Sequence, residues 1–202
     1  TYKNGLYRFD PSQNKFENWK NSLENPNVLS SNYITSIIED NDSNIWISTY
    51  SGLDKFKIDG TEKLLTQIIS DSQNPIWYLS KSSFFKNKFL LCAFNGLFLF
   101  DLKDRELTEL HLPENKELEF SKSVSSVVEE YFMNQKILWV GTYGGLVRLN
   151  LTTGKSTRFI KTISDKSEVL SNQIHDLIVD RSGVVWIATE SGLNYHSKKR
   201  SK

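Results

Sequence analysis

The sequence predicts an all-β fold made of four-stranded antiparallel β-propeller blades. A Gly-Leu pair recurs five times, at intervals of 44 to 49 residues. A Trp precedes three of these pairs by six residues, and a large apolar residue follows three of them by fourteen. The pairs are Gly5-Leu6, Gly52-Leu53, Gly96-Leu97, Gly145-Leu146 and Gly192-Leu193. A period of 40 to 50 residues with four short strands per unit is typical of propeller blades.

The clearest copy spans residues 174–195 and reads IHDLIVDRSGVVWIATESGLNY. Its first apolar run alternates with polar residues, its second is centred on Trp186, and its third begins at Leu193. Gly183 and Gly192 lie in the polar breaks between these runs. Short apolar runs separated by Gly-containing turns predict antiparallel hairpins.

The other copies extend this pattern along the chain, which we interpret as a single propeller segment. We predict a partial blade at 5–19, blades at 34–69, 76–112 and 124–161, and a partial blade at 174–197. The connections are rich in Ser, Asn, Asp and Pro, as loops are. A short helical candidate lies within one connection, at residues 114–119.

The composition supports a packed core and argues against several classes of partner. Apolar residues make up 38% of the chain, and 25 basic and 24 acidic residues give a net charge of +1. This balance predicts no strong attraction to nucleic acid or to an anionic membrane surface. No run of 18 apolar residues is present, so we expect no membrane insertion by this segment. Cys92 is the single cysteine and cannot form an internal disulfide.

The repeated unit resembles a known family. The pattern I-x-x-I-x-x-D-x-x-G-x-x-W-I-x-T-x-x-G-L is that of the two-component regulator propeller repeat, and it fits residues 174–193. It also fits residues 34–53, with Asn44 one place past the usual Gly. The copy that contains Trp139 lacks the Asp, and the copy that begins at residue 76 keeps little beyond its Gly-Leu pair.

This resemblance implies a place in a larger signalling protein. In that family such repeats build periplasmic sensor regions of Bacteroidetes hybrid two-component histidine kinases, with two seven-bladed propellers and a following immunoglobulin-like domain. A membrane helix, histidine kinase, receiver and DNA-binding regions come after these, and many members respond to products of polysaccharide breakdown. The resemblance therefore implies a non-catalytic periplasmic input segment of a membrane-anchored parent, which responds to an oligosaccharide and controls a phosphorelay and transcription. The chain begins directly in a predicted strand, so we expect it to be part of such a longer protein.

Two kinds of repeated residue are expected to be structural. The Trp side chains leave the same face of their sheets, because side chains alternate along a strand. We expect Trp46, Trp139 and Trp186 to fill the space between neighbouring blades, the alternative being exposed platforms on which sugars stack. The Gly residues of the Gly-Leu pairs are expected to adopt a backbone conformation that other residues resist. The four that follow a complete turn are Gly52, Gly96, Gly145 and Gly192.

The residue two places before each of these Gly residues is the candidate ligand-binding position. These residues are Tyr50, Phe94, Tyr143 and Glu190. They occupy the turn between second and third strands, and such turns converge at one rim of a propeller. Variable side chains on a repeated frame are typical of a binding rim. Aromatic rings and a carboxylate would suit an oligosaccharide, whereas in the alternative interpretation these side chains only cover the blade edges.

The sequence predicts no catalytic residues, no metal site and no cofactor. The run Asp40-Asn41-Asp42-Ser43-Asn44 resembles the start of a calcium loop, but the Gly and Glu that such a loop requires are absent. His111, His175 and His196 stand at different repeat positions, without metal-ligand or catalytic spacing. The basic residues 198–202 are interpreted as a solvated turn.

Two other functions stay open at this point. A structural or protein-interaction propeller would have the same frame without a small-molecule ligand. A propeller lyase or hydrolase is the second alternative, since streptogramin lyases have distantly similar repeats.

The ends of the chain generate a further expectation. The last copy would need a fourth strand near position 206, beyond Lys202. We therefore expect an open arc with apolar faces at its ends. Such faces favour self-association, as well as packing against neighbouring blades and domains of the parent protein.

Overall fold

The protein folds into antiparallel β-sheets. The computed structural model describes residues 3–22, 29–58, 63–71, 73–113, 121–162 and 169–197. These residues contain no helix, and therefore none that is long and apolar enough to cross a bilayer. The helical candidate at 114–119 and the basic residues 198–202 lie outside the described residues. The chain divides into two compact units, Thr1–Lys81 and Ser82–Lys202.

The first unit contains a two-stranded sheet, a four-stranded sheet and one further strand. The two-stranded sheet pairs β1 (Leu6–Asp10) with β2 (Lys15–Trp19). The four-stranded sheet has the order β3 (Ile34–Glu39), β4 (Ile45–Thr49), β5 (Gly52–Ile58) and β6 (Lys63–Ser70). The remaining strand, β7 (Ile76–Lys81), packs against β3 and β4.

The second unit contains three groups of paired strands. The first group is β8 (Lys88–Ala93), β9 (Gly96–Asp101) and β10 (Leu107–Leu110). The second is β11 (Val124–Phe132), β12 (Gln135–Thr142), β13 (Gly145–Asn150) and β14 (Ser156–Phe159). The third is β15 (Ile174–Val179), β16 (Val185–Thr189) and β17 (Gly192–His196). The boundary between the two units, after Lys81, falls within the predicted blade at 76–112.

The second strand of a sheet contributes to two cores, because its side chains alternate between the two faces. In β12, Ile137 and Trp139 pack with residues of β15 and β16. Leu138 and Val140 of the same strand pack with residues of β8 and β9. The first unit has an equivalent core between its two sheets, and its buried residues are Leu6, Leu29, Ile47 and Phe56.

A β-bulge near the start of the first strand joins neighbouring sheets. In β3, β11 and β15 the pairing shifts at the second residue, which is Thr35, Ser125 or His175. Thr35 Oγ1 donates a 2.5 Å hydrogen bond to the carbonyl oxygen of Ile76. Ser125 Oγ donates a 2.7 Å hydrogen bond to the carbonyl oxygen of Ile174. The first strands of successive sheets therefore lie side by side within each unit.

The indole N–H of the repeated Trp donates to the Asp of the same repeat. Trp46 Nε1 lies 2.8 Å from Asp40 Oδ2, and Trp186 Nε1 lies 2.9 Å from Asp180 Oδ2. The other carboxylate oxygen accepts backbone N–H groups of the hairpin turn. One Asp therefore closes the turn and satisfies a ring nitrogen that would otherwise be left without a partner.

In the third copy a Glu, and not an Asp, accepts the hydrogen bond from the indole N–H. In the register of the sheets, Glu130 stands where the other copies have Asp, two residues after the residue that pairs with the Trp. Glu130, on the first strand of that sheet, accepts the hydrogen bond from Trp139 Nε1 at 2.8 Å. The ring nitrogen is thus paired in all three copies, although the sequence pattern is broken in one.

The three Trp rings differ in burial. Trp46 and Trp139 are each 1% exposed, as expected for rings between sheets. Trp186 is only partly buried, which differs from the expectation. It lies on the face of the last sheet against which no other described sheet of the second unit packs, so its outer surface stays open.

This difference predicts unequal costs of removing the rings. Trp139→Ala should lower the free energy of unfolding by about 3–5 kcal/mol, because it opens a cavity between two sheets. Trp186→Ala should cost less than half as much, because part of that ring is already in contact with water. Urea unfolding followed by circular dichroism measures both values. Equal losses in the two variants would contradict the assignment of Trp139 to the core.

Candidate functional site

The turn between second and third strands is built by a Thr in three of the sheets. The Thr Oγ1 accepts the backbone N–H two residues later, at 3.1–3.2 Å. It also donates to the carbonyl oxygen of the Gly three residues later, at 2.6–3.3 Å. These residues are Thr49, Thr142 and Thr189. The hydroxyl bridges the turn internally, so the next side chain in the chain is left on the outside.

The Gly that ends the turn is in the left-handed region of φ in these three sheets. The φ angles of Gly52, Gly145 and Gly192 are 148°, 108° and 129°. At Gly145, a Cβ atom would also lie 2.5 Å from the carbonyl oxygen of Phe159. The structure differs from the expectation at Gly96, whose φ is outside this region. Ala93 stands at the Thr position of that copy and has no hydroxyl to form the bridge.

A second hydrogen bond ties each of these turns to the segment before the first strand of its own sheet. The backbone N–H after the Thr donates to a carbonyl oxygen at 3.0–3.2 Å. The donor and acceptor pairs are Tyr50 and Tyr33, Tyr143 and Ser123, and Glu190 and Gln173. The candidate side chains therefore stand at the end of the sheet where the first strand begins.

In the first unit this end of the sheet carries a cluster of three aromatic side chains. Tyr50 is 38% exposed and stacks on Tyr33, with ring centroids 4.8 Å apart and planes 12° apart. The Trp77 ring meets Tyr50 edge-on at 5.2 Å and 87°. Trp77 Nε1 has no hydrogen-bond partner among the described residues. Lys3 Nζ lies 5.9 Å from the centre of the Tyr33 ring.

The second unit carries the other three predicted residues. Tyr143 meets the His175 ring edge-on, with centroids 6.4 Å apart and planes 75° apart. Phe94 is 39% exposed, and Glu190 is exposed on its own turn. The four predicted positions are therefore accessible, with Tyr50 in one unit and the other three in the second.

A half-buried arginine fixes the backbone around the Tyr143 turn. The Arg158 guanidinium donates to Thr142 Oγ1 at 2.9 Å and to the carbonyl oxygens of Gly144 and Ser121 at 2.8 and 3.0 Å. It donates twice more, to the carbonyl oxygen of Pro113. Five hydrogen bonds match its five N–H groups. Burial lowers the pKa of Arg158. All five N–H groups of the guanidinium are thus used within the protein, and the side chain acts as a support for the turn.

A buried carboxylate lies behind the Tyr50 turn. Asp54 Oδ2 accepts from the backbone N–H and the hydroxyl of Ser30, both at 2.9 Å, and that hydroxyl also lies 2.7 Å from Thr49 Oγ1. Asp54 Oδ1 has no partner among the described residues. Burial raises the pKa of Asp54 to about 6, although the Ser30 hydrogen bonds oppose the shift. In the last sheet, Asn194 takes this position and accepts from the Leu170 N–H at 3.0 Å.

The metal-binding and nucleophilic candidates of the sequence have defined surroundings in the structure. Across the residues that the structure describes, no group of three His, Cys, Asp or Glu side chains is placed to hold a metal ion. Cys92 is buried, and burial raises the pKa of its thiol, so a thiolate nucleophile is not accessible there. Asp40, which opens the calcium-like run, uses both oxygens within its own turn. What remains accessible is a set of aromatic rings, hydroxyls and a carboxylate on fixed turns.

The fold and this repeated turn are those of β-propeller blades, and comparison with known sequences shows which proteins have similar repeats. The model of the two component regulator propeller family matches residues 28–51 and 168–191. These segments contain the Asp, Trp and Thr described above, and they confirm the resemblance to the two-component regulator propeller repeat. The chain is also 29% identical over 197 residues to histidine kinase P4 of Formosa agariphila. That alignment spans 94% of this chain and 14% of the kinase, so the chain is similar to a small part of it.

Solved structures show the same fold. The extracellular domain of BT4673 from B. thetaiotaomicron, described as a hybrid two component system, superposes with a TM-score of 0.78 at 20% identity. The match covers 98% of this chain and 25% of that one. A streptogramin B lyase superposes with a TM-score of 0.53 at 11% identity, over 83% of this chain and 55% of the lyase. The predicted all-β fold of propeller blades is thereby confirmed.

Several residues of the site escape a repeat-by-repeat interpretation of the sequence. Tyr33 immediately precedes the first strand of its sheet, and Trp77 and His175 are the second residues of theirs. Tyr33 stacks on the turn residue of its own sheet, whereas the side-by-side first strands bring Trp77 and His175 next to the turn residue of the preceding sheet. The signal in the sequence is an aromatic residue directly beside the Ile that opens a repeat.

The buried carboxylate predicts a pH dependence of stability. The folded-state pKa of Asp54, about 6, lies above an unfolded value near 3.9, so folding disfavours its ionisation. Its effect on the free energy of unfolding is absent below pH 4 and becomes increasingly destabilising as the pH rises through 6. Asp54→Asn should therefore stabilise the protein at pH 7 by on the order of 2 kcal/mol and change little at pH 4.

Urea unfolding at both pH values measures this difference. The reverse exchange in the last sheet, Asn194→Asp, is the matched control and should lower stability at pH 7. If Asp54→Asn changes stability equally at pH 4 and pH 7, the carboxylate is not the source of the pH dependence.

Proposed function

We propose that this chain is a ligand-sensing segment in the extracytoplasmic region of a hybrid two-component histidine kinase. The observation that carries the proposal is the partly exposed cluster of Tyr33, Tyr50 and Trp77, held on a hydrogen-bonded turn of a two-component regulator repeat. Similarity to a histidine kinase and to the extracellular domain of a hybrid system supports this class of parent. A periplasmic location follows from the same similarity as part of the proposal.

The proposed ligand is an oligosaccharide. The C–H groups of a sugar ring pack on aromatic faces, and sugar hydroxyls need donors and acceptors at their edges. Tyr33 and Tyr50 are stacked and nearly parallel, and each ring also carries a hydroxyl that can donate to or accept from a sugar hydroxyl. The indole N–H of Trp77 is buried and has no partner among the described residues, so it would donate to a ligand only after the ring turns outward. This combination favours a carbohydrate over a purely apolar ligand.

The second unit offers a related but more polar surface. Tyr143 and His175 provide one aromatic ring and one ring with a donor and an acceptor. Glu190 provides an exposed carboxylate on the equivalent turn of the last sheet. Such a surface would bind sugar hydroxyls mainly by hydrogen bonds. We assign it to the same class of ligand.

In this role the chain binds and transmits, and the phosphoryl chemistry belongs to the kinase part of the parent. A ligand shifts an equilibrium between two states only if it binds one of them more tightly. The binding turns must therefore keep their own geometry, so that a change in packing alters the affinity for the ligand. The Thr bridges and the Arg158 contacts provide that rigidity at the turns. Binding would shift how the sensor region packs, and thereby alter the phosphorelay and transcription that the parent controls.

The proposal predicts that Tyr50→Ala weakens oligosaccharide binding by about tenfold while leaving the melting temperature nearly unchanged. Tyr50 lies on a turn and is 38% exposed, so its removal should cost the fold little. Oligosaccharides from partial hydrolysis of polysaccharides, screened on an array and then titrated by calorimetry, provide the measurement.

The second unit offers its own test pair. Tyr143→Ala should weaken binding if the second surface takes part. Tyr131→Ala is the control, because Tyr131 is 62% exposed at the opposite end of the same sheet. Absence of binding by the wild-type chain to every oligosaccharide would favour the structural or protein-interaction alternative. Release of cleaved product from a bound saccharide would instead favour a lyase or hydrolase.

A further inference from the structure

The turn that carries Tyr50 contains a chain of hydrogen bonds that ends on a buried carboxylate. Ser30 Oγ lies 2.9 Å from Asp54 Oδ2 and 2.7 Å from Thr49 Oγ1. Ser30 stands three residues before Tyr33, and Thr49 directly precedes Tyr50. The three side chains of Asp54, Ser30 and Thr49, which we call the relay, therefore join the two segments that present the stacked tyrosines.

Each hydroxyl of the relay has a single proton to donate, so the hydrogen bonds must run in one direction. An ionised Asp54 can only accept, so Ser30 Oγ donates to it, and Thr49 Oγ1 in turn donates to Ser30 Oγ. The Gly52 carbonyl oxygen lies 3.3 Å from Thr49 Oγ1, beyond the usual O–H···O range of about 2.5–3.0 Å. The ionised relay thus takes the proton that would otherwise close the turn.

The other two turns of this kind lack the relay, and their Thr–Gly hydrogen bonds are shorter. In the last sheet, Thr189 Oγ1 donates to the Gly carbonyl oxygen at 2.8 Å. Asn194 takes the place of Asp54 there, and Leu170, which has no hydroxyl, takes the place of Ser30. In the β11–β14 sheet a valine takes the place of the carboxylate, and the bond is 2.6 Å long. The long Thr–Gly distance therefore accompanies the carboxylate and the serine hydroxyl.

A proton that Asp54 takes up from water would reverse the direction of the chain. Oδ2 faces Ser30 Oγ, whereas Oδ1 has no partner among the described residues, so Oδ2 is the oxygen that can share the proton. The neutral carboxyl then donates to Ser30, and Ser30 donates to Thr49. The hydroxyl proton of Thr49 is released to the Gly52 carbonyl oxygen, and the turn gains the closure that the last sheet has.

Asp54 is placed to change its charge near pH 6. Its side chain is 0% exposed, and burial raises its pKa to about 6, although the Ser30 hydrogen bonds oppose the shift. Residues 1–81 contain no histidine, so no other side chain of this unit ordinarily titrates between about pH 5 and 8.

The other charged side chains on this face of the sheets are not bonded to Asp54. Those that face it from β1, β2 and β3 are Arg8, Asp10, Lys15, Glu17 and Glu39. Lys3 and Asp71, before β1 and after β6, are exposed. The neighbouring strand β4 contributes only apolar side chains and Thr49 to this face. Among the described residues the Asp54 carboxyl accepts from Ser30 alone, so its protonation acts directly on the relay.

We propose that Asp54 and Ser30 are positioning residues, which make the aromatic cluster of the first unit bind a saccharide more tightly in mildly acidic than in neutral solution. This regulation rests on the function proposed above, because it acts on the same cluster. With the turn closed, Tyr50 keeps one position on Tyr33, and less conformational freedom is lost when a saccharide binds. We expect binding to be about fivefold tighter, which corresponds to one net hydrogen bond. By linkage, the bound saccharide should raise the pKa of Asp54.

The first measurement needs no saccharide. NMR spectra of the isotope-labelled 202-residue chain follow the Asp54 carboxyl and the backbone amides of Ser51 and Gly52 from about pH 7.5 to about pH 5. In the wild-type chain all three signals should shift with one midpoint near pH 6. In Asp54→Asn the two amides should stay constant, because the titrating group is gone.

The second measurement is calorimetry at both pH values with the oligosaccharide that binds best in the array screen. The wild-type chain should bind it about fivefold more tightly at the lower pH, and Asp54→Asn should bind it equally at both. Ser30→Ala should also lose the pH dependence, although Asp54 still titrates, because the hydroxyl that connects it to Thr49 is absent. Ser30→Thr is the matched control, which restores the hydroxyl and should restore the pH dependence. Melting temperatures show that each variant is folded at both pH values.

Three outcomes would overturn the proposal. The Asp54 carboxyl could titrate at an ordinary pH of about 4, with constant turn amides in the wild-type chain. Ser30→Ala could keep the pH dependence of binding, which would mean that the hydroxyl chain is not the route. Binding could be no tighter at the lower pH while the turn titrates, which would mean that closure of the turn does not position Tyr50. If no oligosaccharide binds at either pH, the proposed ligand class is wrong, and the titration of the turn amides still decides whether the relay exists.

Discussion

The packing of this chain depends on pairing the indole nitrogen of a buried tryptophan. A Trp ring between two sheets removes a large apolar surface from water, but its N–H must keep a hydrogen-bond partner. An acidic side chain meets that need in all three copies, at 2.8–2.9 Å. In two of the copies the same Asp closes the hairpin that leads into the strand of the Trp. Hairpin formation and sheet packing are therefore coupled through one carboxylate, and the hydrogen bonds from Ser182 and Trp186 hold the pKa of Asp180 at about 2.

The sequence predicts this framework well where one repeat alone determines the structure. The Gly-Leu spacing and the position of the Trp follow from strand alternation and turn geometry, which are local. The structure differs from the sequence prediction at three places. Trp186 is partly exposed because no other described sheet of the second unit packs against its outer face. Glu130 takes the place of the Asp in the register of the sheet, and the longer hairpin of that copy hides this when residues are counted back from Trp139. Gly96, whose turn has Ala93 in place of Thr, lacks the left-handed conformation.

In the candidate site, some residues can be predicted from one repeat alone, and others come from the next repeat along the chain. Tyr50 and Tyr143 could be predicted because a repeated turn presents them. Trp77 and His175 could not, because they come from the next repeat along the chain and reach these residues only where first strands lie side by side. Support for the turns also comes from outside them, through Arg158 and the buried side chain of Asp54. A charge that folding disfavours at neutral pH lies behind the more aromatic of the two surfaces.

The residue opposite each Trp determines how apolar that face of the sheet is. Lys55 pairs across the strands with Trp46, and its Nζ lies 5.2 Å from the ring centre. Arg148 stands in the same relation to Trp139, at 5.9 Å. Tyr195 takes this position beside Trp186. In both earlier copies the apolar stem of the cation can cover the ring while its charged end stays in a polar environment. The last sheet instead replaces the cation of the two earlier copies with a second aromatic ring, which makes its open face more apolar than the buried faces that it resembles.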